Sequence, residues 1–229
     1  MMDDPAARAV LDEVIEEWTA GGVLGELRAL VGTVWRTNLD RLEPRLGDDA
    51  VTVGIQSSRN LCNLAVRRLR PLDEVHARDV KTLEVGYRGR VLHTSKIEAG
   101  VGAVDWSDTS DIRHRAAERN TLAYLPVVGT LDEAFGPLPG QSGDPAALQY
   151  LHLAWQGLPD GRTRAWLGFP RLGEEPWFAL APIEEDDGGS GGARIARTDP
   201  TGPAPDFDRL GEPELDLVRR VEDDGRRRA

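Results

Sequence analysis

Tryptophan recurs at positions 155, 166 and 177, eleven residues apart, and each indole sits in an apolar run with strand character. Between the first two lies Leu158-Pro159-Asp160-Gly161, in which Pro pre-sets φ and Gly completes a reversal. Folding about Asp160-Gly161 puts Trp155 opposite Trp166. A second reversal through Arg171–Pro176 brings Trp177 beside Trp166. Residues 149–183 therefore predict a three-stranded meander with a tryptophan row on one face. That face also carries Leu151, Leu153, Arg164, Ala179 and Ala181, while Ala154, Ala165, Leu167, Phe169, Phe178 and Leu180 fall on the other. Apolar residues on both faces describe a sheet covered on both sides. The row reads first as a core ladder. The alternative is a stacking platform formed by Trp155, Trp166 and Trp177, with Arg164 as its cation.

The rest of the chain supplies elements to cover such a sheet. Val10, Leu11, Val14, Ile15 and Trp18 form a helical stripe that Gly21-Gly22 interrupts. Val23, Leu24, Leu27, Leu30, Val31, Val34, Trp35, Leu39 and Leu42 continue it, and Pro44 and Gly47 close it. This is an αα-hairpin, packed on itself and on the sheet. A homodimer through the same N-terminal helices is the rival use of that stripe.

Val51-Thr52-Val53-Gly54-Ile55 alternates and predicts a strand, with Ser57 or Ser58 capping a helix that runs to Leu69. Residues 80–97 predict a hairpin about Arg88-Gly89. It pairs Tyr87 with Arg90, Val85 with Leu92, Glu84 with His93, Leu83 with Thr94 and Lys81 with Lys96. Asp108-Thr109-Ser110 opens a helix through Ile112, Ala116 and Leu122. Residues 129–147 read as a long loop with one helical turn at Leu131–Phe135.

At Glu184 the composition changes to Glu, Asp and Gly. The expected organisation is one α+β domain over 1–183, an acidic Gly/Pro-rich flexible linker over 184–206 and a short amphipathic segment over 207–229. The fold class is α+β: a mainly antiparallel sheet of about six strands with the N-terminal hairpin and two further helices.

Composition limits the function. A formal charge of −11 argues against non-specific grip on nucleic acid or anionic membrane. Apolar runs are too short for a membrane span, and the acidic N-terminus lacks a signal core, so a cytoplasmic location is expected. One cysteine, Cys62, rules out an internal disulfide framework and reads as a small buried hydrophobe. The basic residues number 28, of which only Lys81 and Lys96 are lysines, a skew that reads as GC-rich bacterial codon usage rather than function.

Catalytic signals are sparse. Lys81 opposite Lys96 is an unfavourable like-charge pair unless an anion lies between them. Asp79-Val80-Lys81 has the D-x-K spacing in which an acid holds a divalent metal and the lysine supports the attacking water, with Asp48 or Asp49 as the upstream acid. Arg67, Arg68 and Arg70, and Arg113, Arg115 and Arg119, read as solvated helix faces. His76, His93, His114 and His152 have no metal-ligand spacing, and His93 opposite Glu84 suits a cross-strand hydrogen bond. No Walker loop, G-x-G-x-x-G, G-x-S-x-G or cofactor motif is present. The reading that follows is a non-catalytic protein-interaction or regulatory protein without cofactor, its partner another protein. The alternative is a metal-dependent nuclease or phosphodiesterase using Asp49, Asp79, Lys81 and Lys96.

Overall fold

In the computed structural model, residues 4–98, 100–124 and 143–184 are described. The chain divides between a unit spanning Met1–Asp187 and one spanning Gly188–Ala229, and all described residues lie in the first. The linker and tail expected over 184–229, apart from Glu184, and the helical turn at Leu131–Phe135 lie outside the described residues.

Helix α1 (Pro5–Ala20) starts where the Asp4 carboxylate accepts the N–H groups of Ala6 and Ala7, with Pro5 in the first turn. Gly22, at φ 75°, supplies the left-handed residue that turns the chain into α2 (Val23–Asp40). The two stripes are buried within this chain: Leu11, Val14 and Trp18 from α1, and Leu27, Val31, Val34 and Trp35 from α2.

The third helix corrects the sequence reading. Residues 51–55 are not a strand but the opening of α3 (Ala50–Leu69). Asp49 decides it: its Oδ1 accepts from the Thr52 N–H at 2.8 Å and the Thr52 hydroxyl at 3.0 Å. On that helix Val53, Ser57, Leu61, Ala65 and Leu69 form one buried face at spacing four, while Val51 and Ile55 turn outward. Ser57, expected as a cap, is interior and accepts a hydrogen bond from Asn38 of α2.

Six strands form one sheet in chain order: β1 (His76–Asp79), β2 (Leu83–Tyr87), β3 (Arg90–Lys96), β4 (Tyr150–Gly157), β5 (Thr163–Pro170) and β6 (Trp177–Pro182). Pairing is antiparallel except between β3 and β4, so two antiparallel three-stranded halves meet at one parallel seam. A parallel seam needs a crossover, and the connection carries α4 (Asp111–Tyr124). Strand β1 takes the place of the strand expected at 51–55. The β2–β3 hairpin has the expected register, with Arg88 and Gly89 both at positive φ in its two-residue turn.

The β4–β5 register is one residue away from the expected one. Ala154 pairs with Trp166 and Trp155 with Ala165, about a loop centred on Asp160. The tryptophan row therefore does not exist. Trp155 faces α1–α3 in the larger core, whereas Trp166 and Trp177 face the opposite side, with Trp106 and Ala117 of α4. Trp177 pairs with Pro170 across a β-bulge rather than lying beside Trp166. The sheet is covered on both faces, as its apolar residues implied. No helix among the described residues is long and apolar enough to cross a membrane.

Candidate functional site

A cleft of about 940 Å³ opens where β3 outruns its neighbour β2. One wall is α3 from its start to Cys62, with Val51, Gly54, Ile55 and Arg59. A second is the β1–β2 turn, with Asp79, Lys81 and Thr82. Ser95 and Lys96 of β3 and Trp155 line the interior, and the start of α4 closes it with Ile112, Arg113 and Arg115. Ligand sites usually occupy roughly 300–1,000 Å³, so this is a large one.

Its charge departs from that of the chain. Arg59, Lys81, Lys96, Arg113 and Arg115 line it, against the carboxylates of Asp79, Glu98 and Asp111. Arg59 and Asp79 neutralise each other at 2.6 Å. Lys96 is an enclosed cation: its side chain is only 13% exposed, its ammonium sits 5.5 Å from the centre of the Trp35 ring, and Glu98 lies 3.5 Å away. Glu98 itself is 78% exposed, so the ion pair is a loose one at the rim. Gly54 lies beside this lysine, and a methyl group there would make ordinary van der Waals contact with its Nζ and Cδ. Burial pulls the pKa of Arg113 down from its ordinary value.

Three of the catalytic candidates, Asp79, Lys81 and Lys96, share this cleft but not in the expected arrangement. Lys81 is not on a strand; it lies in the β1–β2 turn at φ 75°, outside the ladder that was to set it opposite Lys96. Asp79 Oδ1 accepts from the Lys81 backbone N–H at 3.0 Å, and Oδ2 from Arg59. Both oxygens thus serve the turn and the helix. Asp49 caps α3, and the Asp48 Oδ2 accepts from the Glu43 N–H. No group of three or more His, Cys, Asp or Glu side chains suited to a metal ion occurs among the described residues.

The tryptophan platform is dispersed in the same way. Trp155 is 1% exposed and meets Trp35 edge-on at 6.2 Å. Trp177 is equally buried, edge-on to Trp106, and its indole N–H donates to the Val101 carbonyl. Trp166 is half-buried against the second core, and Arg164 is exposed. Cys62 is buried, which pushes its thiol pKa up and away from thiolate chemistry.

One juxtaposition escaped the sequence reading. Ser95 Oγ and His152 Nε2 are 2.7 Å apart across the parallel seam, with Ser95 on the cleft. His152 is enclosed by the rings of Trp106 and Trp177, and burial drives its pKa well below the ordinary histidine value. The bond satisfies a buried ring nitrogen, and Ser95 serves as its cap. A register between strands 57 residues apart was the missing information. His93, expected to bond Glu84, has no partner for its Nδ1 among the described residues, because Glu84 instead accepts from Arg78.

No protein-family model matches the chain, and neither the curated proteins nor the solved structures gave a match.

Proposed function

We propose that this chain is a non-catalytic interaction protein whose cleft between α3, the β1–β2 turn and α4 takes an anionic segment of a partner protein. The observation that carries the reading is the cationic lining of the cleft in a chain of net charge −11, with Lys96 enclosed over Trp35. An enclosed ammonium with only a loose rim carboxylate gains more from a second anion than a solvated lysine does, because the surrounding dielectric is low. The nuclease alternative draws less support, since the Asp79 carboxylate is committed to Arg59 and the β1–β2 turn.

Titration of the full chain with a deca-glutamate peptide tests this directly. Saturable binding that weakens with added salt is expected. Lys96→Met keeps the packed stem and removes the charge, and it should weaken binding about 10–100-fold, the value of a charge-assisted hydrogen bond of roughly 1.5–3 kcal/mol. No saturable binding, or equal binding by wild type and variant, overturns the proposal.

A further inference from the structure

We infer that the occupant enters the cleft as an extended strand and pairs with the uncovered edge of β3 at Lys96. This rests on the anionic-segment reading above and specifies its geometry.

Strand β2 begins at Leu83, and its ladder with β3 reaches His93; the Thr82 hydroxyl then closes on the Thr94 carbonyl and ends that side. Strand β3 continues. On its other side Val91 and Ile97 donate their N–H groups to Gln149 and Trp155. Alternation along a strand therefore directs the N–H and C=O of Lys96 away from β4, past the start of β2 and towards the cleft.

The outer edges of the sheet are treated differently. On β6 the Phe178 carbonyl accepts from the Asp4 N–H, and the Leu180 carbonyl from the Arg8 guanidinium. Strand β1 is only four residues long, and His76, Arg78 and Asp79 are exposed on it. Short, charged or covered edges are how sheets avoid unwanted pairing. The Lys96 edge is short and carries a charge, but it is not covered; it has a cleft in front of it.

The walls specify the side chains of the incoming segment. Val51 and Ile55, one helical turn apart on α3, are 61% and 66% exposed. Across the cleft stand Arg113 and Arg115. A strand sends alternate side chains to opposite faces, so a segment alternating apolar and acidic residues lays one row on α3 and the other against the arginines. Backbone pairing with side-chain pockets is a general mode of peptide capture.

The test uses the full chain and three ten-residue peptides, all with blocked ends: alternating Glu and Val, alternating Lys and Val, and the Glu–Val sequence N-methylated on the backbone at alternate residues. The Glu–Val peptide should bind at least tenfold tighter than either of the others. In ¹⁵N spectra the Lys96 amide should move downfield on binding as it gains an acceptor. A Val51→Ser/Ile55→Ser variant, which alters only exposed positions, should bind the Glu–Val peptide several-fold more weakly and deca-glutamate unchanged. Equal binding of the N-methylated peptide, or an unmoved Lys96 amide, overturns the strand while leaving the anionic cleft standing. Failure of deca-glutamate and Glu–Val alike removes both.

Discussion

Gly157 has no side chain because Trp35 stands where one would be. A Cβ built at Gly157 falls 2.2 Å from the Trp35 ring, far inside contact distance. The ring is fixed there: its N–H donates to the Leu158 carbonyl at 2.8 Å, its face carries the Lys96 ammonium, and its edge meets Trp155. Gly157→Ala should therefore destabilise the fold by about 1–3 kcal/mol, the usual cost of overpacking, read as a lower urea midpoint. Gly25, on the exposed face of α2 with no atom near a Cβ, is the control, and Gly25→Ala should stabilise by roughly 0.5–1 kcal/mol. Equal effects at the two positions would show that the loss of glycine's backbone freedom, not Trp35, sets the outcome. Lys96 stood out in the sequence as an awkward like-charge partner of Lys81. Its actual setting, an aromatic ring 61 residues away in the chain, is a tertiary fact that no local pattern carries.

Helix α4 illustrates how an element is held by one side chain. Its sequence has little amphipathic character, and polar contacts join the buried Ala117 in seating it. Asn120, fully buried, donates to the carbonyls of Tyr150 and Pro170 and accepts from the Tyr150 N–H, tying α4 to β4 and β5 at once. Asn120→Leu strands those backbone groups and should cost about 2–3 kcal/mol. Faster amide exchange confined to α4 and the first residues of β4 is the expected signature; uniform exchange across the sheet would contradict it. Elements with capping and turn chemistry were readable: the Gly-Gly hinge, the Arg88-Gly89 turn and the start of α4 at residue 111. Two failures have definite causes. Val51, Val53 and Ile55 satisfy a period of two, but the Asp49 cap makes the segment helical and only Val53 is buried. The β4–β5 loop is centred on Asp160, whose carboxylate holds the Arg162 N–H, rather than on the Asp160–Gly161 bond. That half-step slips the register by one residue and sends Trp155 and Trp166 to opposite faces, which is all that separates a row from two cores.

At the scale of the molecule, the parallel seam between β3 and β4 creates a buried polar layer, and sequence periodicity is silent on it. His93 and His152 are cross-strand neighbours there, 3% and 1% exposed. Burial is the leading cause that lowers both pKa values. Arg113 adds to the shift at each, and Glu84 only partly offsets it at His93. Both rings are thus neutral in the fold at pH values where an unfolded histidine, with a pKa of about 6.5, takes up a proton. The sign follows. Above about pH 6.5 neither state is protonated and the full stability is present. As pH falls below that, the unfolded chain binds protons that the fold refuses, and stability declines by up to about 1.4 kcal/mol per pH unit for each histidine. Urea midpoints at pH 7.5 and 5.5 should therefore differ, before the range in which ordinary carboxylates titrate. In the double variant His93→Asn/His152→Asn, compared with itself at the two pH values, the difference should shrink towards zero. A wild-type midpoint that is flat across this interval would mean that the seam admits protons.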